Sequence, residues 1–137
     1  MERALVATRP LTQGKLHCLF GCGGDRDPGK RPEMGAAVGR GADLIVVTND
    51  NPRTEDPARI AEAIEVGLRS TGAKYVVELD RAKAIREAIL SAEPGDVVLI
   101  AGKGHEPYQI MGTVKYPFDD RVEAKRALRE RRERTAR

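Results

Sequence analysis

Four short apolar runs punctuate the chain: Leu16-His17-Cys18-Leu19-Phe20, Leu44-Ile45-Val46-Val47, Tyr75-Val76-Val77 with Leu79, and Val97-Val98-Leu99-Ile100-Ala101. Continuous runs of this length, rich in β-branched residues, predict strands buried on both faces, as in a parallel sheet. The stretches between them have helical spacing. Asp56 followed by Pro57 supplies an N-cap with proline at the first helical position, and Ile60, Ile64 and Leu68 then recur on one face. Asp80 opens another helix, with Ile85 and Ile89 as its apolar stripe. A shorter helix is predicted over Pro32 to Gly39, weakened by Gly35 and Gly39. Asp120 and Glu123 have capping-box spacing and open a last helix, for which Val122 and Leu128 suggest the docking side. Residues 108–118 read as an extended or hairpin segment, and Met1 to Leu5 as part of a helix before the first strand.

Strands alternating with helices predict an α/β, Rossmann-like fold: a mostly parallel sheet with right-handed crossovers and flanking helices. In such sheets ligands bind beyond the carboxyl ends of the strands. The length of 137 residues fits a single domain, 1–137, with the tail from about residue 129 fraying into solvent. No apolar run is long enough to span a bilayer, and the opening residues lack a signal-peptide core. Two cysteines, Cys18 and Cys22, are too few for a disulfide framework. These features point to a cytoplasmic protein that neither enters a membrane nor carries a leader. The net charge of +3 is small, and its basic excess collects in Lys125 to Arg134. Glutamates interrupt those arginines and no aromatic residue is interleaved, so nucleic acid is not the expected partner.

Three loops at the predicted strand ends concentrate the unusual residues. The first runs Gly21-Cys22-Gly23-Gly24-Asp25-Arg26-Asp27-Pro28-Gly29-Lys30-Arg31-Pro32. Gly24 to Lys30 matches the opening of a phosphate-binding loop, but Arg31 stands where a hydroxyl for magnesium is required. The second runs from Thr48 to Pro57 and contains Asp50-Asn51-Pro52-Arg53. Asp, Asn and Pro are ordinary turn residues, whereas a guanidinium adds little to a turn and is suited to gripping a carboxylate. The third is Ala101-Gly102-Lys103-Gly104-His105-Glu106, where two glycines admit a ligand close to the backbone. His105 reads as an ordinary loop histidine, and Cys18 as a buried thiol; neither has the companions a metal site needs.

Taken in order and spacing, FGCGGDRDPGKRP, VVTNDNPRTEDP, VVLIAGKGHEPYQ and YPFDDRVEAKRAL resemble the Mur ligase family from about Leu16 to Leu128, and specifically its C-terminal domain. Within the family they are most similar to members that add the third residue of the peptidoglycan stem, in the form that uses meso-diaminopimelate. The resemblance implies an ATP-dependent amide ligase of three domains, with this chain matching the one that presents the incoming amino acid. Carried over residue by residue, it implies that Arg26, Asp50, Asn51, Arg53, Gly102 and Glu106 bind meso-diaminopimelate. Lys30 and Arg31 are left to touch phosphate or to support the loop. ATP, magnesium and UDP-N-acetylmuramoyl-L-alanyl-D-glutamate are implied for the other domains, which have no counterpart here. The chain alone is therefore expected to bind no cofactor or metal and to make no amide bond. Two alternatives stand beside this: a lysine-adding relative, and a free-standing small-molecule-binding domain.

Overall fold

The structure is a computed structural model and describes residues 1–103 and 106–135. Its elements are α1 (Glu2–Thr8), a 3-10 turn (Arg9–Leu11), β1 (Leu16–Phe20), α2 (Lys30–Gly41), β2 (Leu44–Val47), α3 (Pro57–Thr71) and β3 (Tyr75–Val77). They continue as α4 (Arg81–Ser91), β4 (Val97–Ile100), β5 (Tyr108–Met111), β6 (Val114–Pro117) and α5 (Asp120–Thr135). Strands β1 to β4 form one parallel sheet in the order β3-β2-β1-β4, while β5 and β6 make an antiparallel hairpin. In register, Cys18 of β1 lies between Ile45 of β2 and Leu99 of β4.

The two-residue alternation of the strands divides the core into two layers. Leu16, Cys18 and Phe20 with Ile45 and Val47 pack beneath α2 and α3, against Val38, Ile60, Ile64 and Leu68. Leu19 on the opposite face packs on α4 and α5 through Ala84, Ile85, Ala88, Ile89 and Ala127. Asp56 and Asp80 cap α3 and α4 by accepting from the backbone N–H groups of Ala58 and Lys83. Among the described residues, no helix is long and apolar enough to cross a membrane.

Four expectations need correction. Burial on both faces holds for β1 alone; β3 and β4 are the sheet edges, and Val76 and Val77 of β3 are exposed. Helix α2 runs from Lys30 to Gly41, well beyond Pro32 to Gly39. Its glycines cost helix propensity, but Gly35 and Gly67 bring α2 and α3 together so closely that a Cβ on either would overlap the partner's backbone. Asp120 does not cap α5: the Asp119 carboxylate accepts from Arg121 N at 2.9 Å, because Asp120 is committed to the buried Arg81. Finally, Val122 and Leu128 are each half exposed, and α5 docks through Ala127 and the partly buried Ala124.

Candidate functional site

The sheet order places a reversal of winding between β1 and β4, since β2 follows β1 on one side and β4 flanks it on the other. The loops leaving the carboxyl ends of these strands therefore part and open a crevice. A cleft of 690 Å³ lies there. Gly21, Cys22 and Gly23 form one wall, Ala101, Gly102 and Asp50 another, and Arg26, Lys30, Arg31 and Met34 line the side of α2. Arg26 and Lys30 are exposed to solvent. Burial pushes the Cys22 thiol up to about 11 and Cys18 up to about 12, so neither is a ready nucleophile.

The first two loops are locked together. Gly24 N donates to Asn51 O at 2.7 Å, and a Cβ on Gly24 would overlap the Pro52 carbonyl. Asp25 and Arg53 face this junction with left-handed backbones, at φ 56° and 53°. For non-glycine residues that conformation is strained, and such strain concentrates at functional sites. Arg53 is held in it by the hairpin: its N donates to Ile110 O at 3.1 Å and its O accepts from Gly112 N at 2.7 Å. Its Nη1 donates to Gly24 O at 2.9 Å, and no carboxylate pairs with it among the described residues. Asp25 accepts from Thr54 Oγ1 at 2.7 Å. Arg31 is engaged in the loop through its two terminal nitrogens, donating to both Glu55 oxygens at 3.0 and 2.8 Å and to Gly23 O at 3.2 Å. The Arg31 guanidinium in turn holds the Glu55 carboxyl below its ordinary value.

Behind the cleft lies a buried polar network. Asn51 Oδ1 accepts from Lys103 Nζ at 2.7 Å and from Ile110 N at 2.9 Å, and its Nδ2 approaches Glu106 Oε1 at 3.5 Å. Tyr108 donates its hydroxyl to Glu106 Oε2 at 3.2 Å. Asp50 Oδ1 stands 3.4 Å from Lys103 Nζ but receives no aligned hydrogen bond. Gly102 passes beside the Asp50 carboxylate at φ 113°, a backbone conformation that favours glycine. Beneath the network, the fully buried Arg81 donates to both Asp120 oxygens at 2.8 Å, to Asn49 O at 2.8 Å and to Ala101 O at 3.1 Å. It thus ties the ends of β2 and β4 to α5.

Of the residues singled out in the sequence, Arg26, Lys30, Arg31, Asp50 and Gly102 line the cleft, while Asn51, Arg53 and Glu106 form the adjoining network. His105 lies outside the described residues. Sequence reasoning passed over Lys103, Arg81, Glu55 and Tyr108. Lys103 and Arg81 carry no signal of burial in the sequence, since long basic side chains are usually solvated. Among the described residues no three His, Cys, Asp or Glu side chains gather to hold a metal ion.

The family model described as "Mur ligase, glutamate ligase domain" matches residues 1–104. The chain belongs to the Mur ligase family. Among its relatives in that family, UDP-N-acetylmuramoyl-L-alanyl-D-glutamate--2,6-diaminopimelate ligase of Parasynechococcus marenigrum (strain WH8102) is 60% identical over 96% of this chain and 26% of its own length. The protein of the same name from Gloeobacter violaceus (strain ATCC 29082 / PCC 7421) is 54% identical over 98% of this chain and 27% of its own length. A solved structure of a ligase with that name superposes with a TM-score of 0.90 at 41% identity, covering 96% of this chain and 27% of its own. The chain thus spans about a quarter of the length of the Mur ligases it matches.

Proposed function

We propose that this Mur ligase domain presents meso-diaminopimelate for amide-bond formation with UDP-N-acetylmuramoyl-L-alanyl-D-glutamate in peptidoglycan synthesis. The observation that carries the reading is Arg53, a guanidinium held in strained backbone beside the cleft and paired with no carboxylate among the described residues. The chain that carries it is 60% identical to a relative named UDP-N-acetylmuramoyl-L-alanyl-D-glutamate--2,6-diaminopimelate ligase.

The chemistry follows from the shape of the ligand. Meso-diaminopimelate ends distally in both a carboxylate and an ammonium. Arg53 and Arg26 offer guanidiniums to carboxylates, and Asp50, Glu106 and the backbone at Gly102 offer negative charge to an ammonium. Lysine ends in an ammonium alone and would leave the guanidiniums unpaired. One charge-assisted hydrogen bond lost in a desolvated site costs about 1.5–3 kcal/mol, or roughly tenfold or more in affinity. Among the described residues no acidic cluster fits a magnesium site, and Arg31 is taken by Glu55. No nucleotide step is assigned to them: ATP and magnesium would supply the activated carboxylate elsewhere in the longer enzyme, while these residues hold and orient the amine.

Calorimetric titration of the chain with meso-diaminopimelate and with L-lysine tests the reading. Diaminopimelate is expected to bind at least about tenfold more tightly, the value of one charge-assisted bond. Tighter binding of lysine would favour a lysine-adding relative, equal binding would overturn the specificity for diaminopimelate, and binding of neither would overturn the reading.

A further inference from the structure

Lys103 carries its ammonium wholly inside the protein, with none of its side chain exposed. Enclosing an ammonium is costly unless its donors are satisfied, and the burial lowers its pKa. The contacts show what that cost secures. Nζ donates to Asn51 Oδ1 at 2.7 Å and to Tyr108 O at 2.8 Å. The Ile110 N–H donates to the same Asn51 atom at 2.9 Å. Only a carbonyl oxygen can accept from both, so the orientation of the amide is dictated by its donors. Its other end is therefore the NH2 group that faces Glu106 Oε1, while the second Glu106 oxygen accepts from the Tyr108 hydroxyl. Lys103 thus grips both residues that hold the Glu106 carboxylate, and it also stands 3.4 Å from Asp50.

We propose that Lys103 is the positioning residue of the amino-acid site: through Asn51 and Tyr108 it fixes the Glu106 carboxylate that receives the ligand's ammonium. The proposal rests on the functional reading above for the identity of the ligand. Lys103 does not line the cleft; it acts through its neighbours. Without its charge, only the Ile110 N–H holds the Asn51 amide in this orientation, and the amide turns more readily. A turned amide sets its oxygen against Glu106, and repulsion moves the carboxylate away.

Two measurements on the full chain test this, using Lys103→Met, which removes the charge at similar volume, and Lys103→Gln, which keeps a neutral donor should the first variant not fold. The first needs no ligand. The Asn51 side-chain NH2 and Ile110 N–H resonances should shift in Lys103→Met and shift less in Lys103→Gln; resonances unmoved in either folded variant overturn the proposal. The second is a double-mutant cycle on meso-diaminopimelate affinity with Asn51→Ala. Each single change is expected to weaken binding about tenfold, and the double change by little more than either, since coupled residues are not additive. Fully additive losses would show that Lys103 does not act through Asn51. If the wild-type chain binds no diaminopimelate, the functional reading fails, and the resonances still decide the role of Lys103.

Discussion

The two ends of the parallel sheet treat their polar groups differently. At the amino ends of β1 and β4, His17 Nε2 and Asp96 Oδ2 meet at 2.8 Å in near-complete burial. Asp96 also accepts from the backbone N–H groups of Lys15 and Glu93, and Asp43 accepts from Leu16 N and Arg9. At the carboxyl ends, three buried side-chain atoms lack a hydrogen-bond partner: Arg31 Nε, Thr48 Oγ1 and Asp50 Oδ1. Among the described residues these are the buried side-chain atoms left without one. Buried polar groups in folded proteins are normally satisfied, so exceptions gathered at one end mark where stability has yielded to another demand. The strained backbones of Asp25 and Arg53 fall at that same end. One end is built to hold the sheet, the other to receive a ligand.

Arg81 tests the contrast most severely, because it is a buried charge at the ligand end that is fully partnered. Arg81→Ala leaves Asp120 buried and alone, and should cost about 3–5 kcal/mol, read by urea unfolding followed by circular dichroism. A loss below about 1 kcal/mol, the scale of a surface pair, would mean that Arg81 is not the anchor. Next in size is Arg53→Ala, which should weaken diaminopimelate binding by about 1.5–3 kcal/mol in calorimetry. Its unfolding free energy should change by less than about 1 kcal/mol, because the side chain makes one half-exposed hydrogen bond. A large stability loss with unchanged affinity would make Arg53 a structural residue.

Thr48→Val removes a hydroxyl that has no partner, so it should be neutral or stabilising by up to about 1 kcal/mol. Destabilisation beyond that would show that the hydroxyl is satisfied. The smallest effect appears only in acid. The imidazole of His17, and after it the N–H groups of Lys15 and Glu93, hold the Asp96 carboxyl well below the usual carboxylate range. A depressed acid stabilises the fold above its unfolded value, about 3.9, and the contribution fades as pH falls through that value toward the folded one. Thermal melts of the wild type should therefore lose stability more steeply below about pH 4 than those of Asp96→Asn, given that unfolded value. Parallel profiles would remove Asp96 from the account.

Much of the fold was legible because it rests on periodicity. The runs at Leu16, Leu44, Tyr75 and Val97 became the four parallel strands, and Ile60, Ile64 and Leu68 became a buried helix face. What pattern could not supply was the third dimension. The exposure of Val76 follows from strand order, which no local run encodes. The length of α2 depends on Gly35 meeting the backbone of α3, a contact that outweighs propensity. Asp119 rather than Asp120 caps α5 because an arginine thirty-nine residues away claims Asp120. The loops of the site were found by their composition. Their internal wiring was not, because burial of Lys103 and the positive φ of Arg53 are properties of packing.

The central claim is that the carboxyl ends of the strands form the ligand end, and amide chemical-shift mapping of the chain during titration with meso-diaminopimelate tests it most directly. Perturbations are expected to be confined to Gly21–Arg26, Asp50–Arg53, Gly102 and Glu106, with Lys15–His17 and Gly95–Asp96 unmoved. Shifts centred on His17 and Asp96, or none at the carboxyl ends, would contradict it.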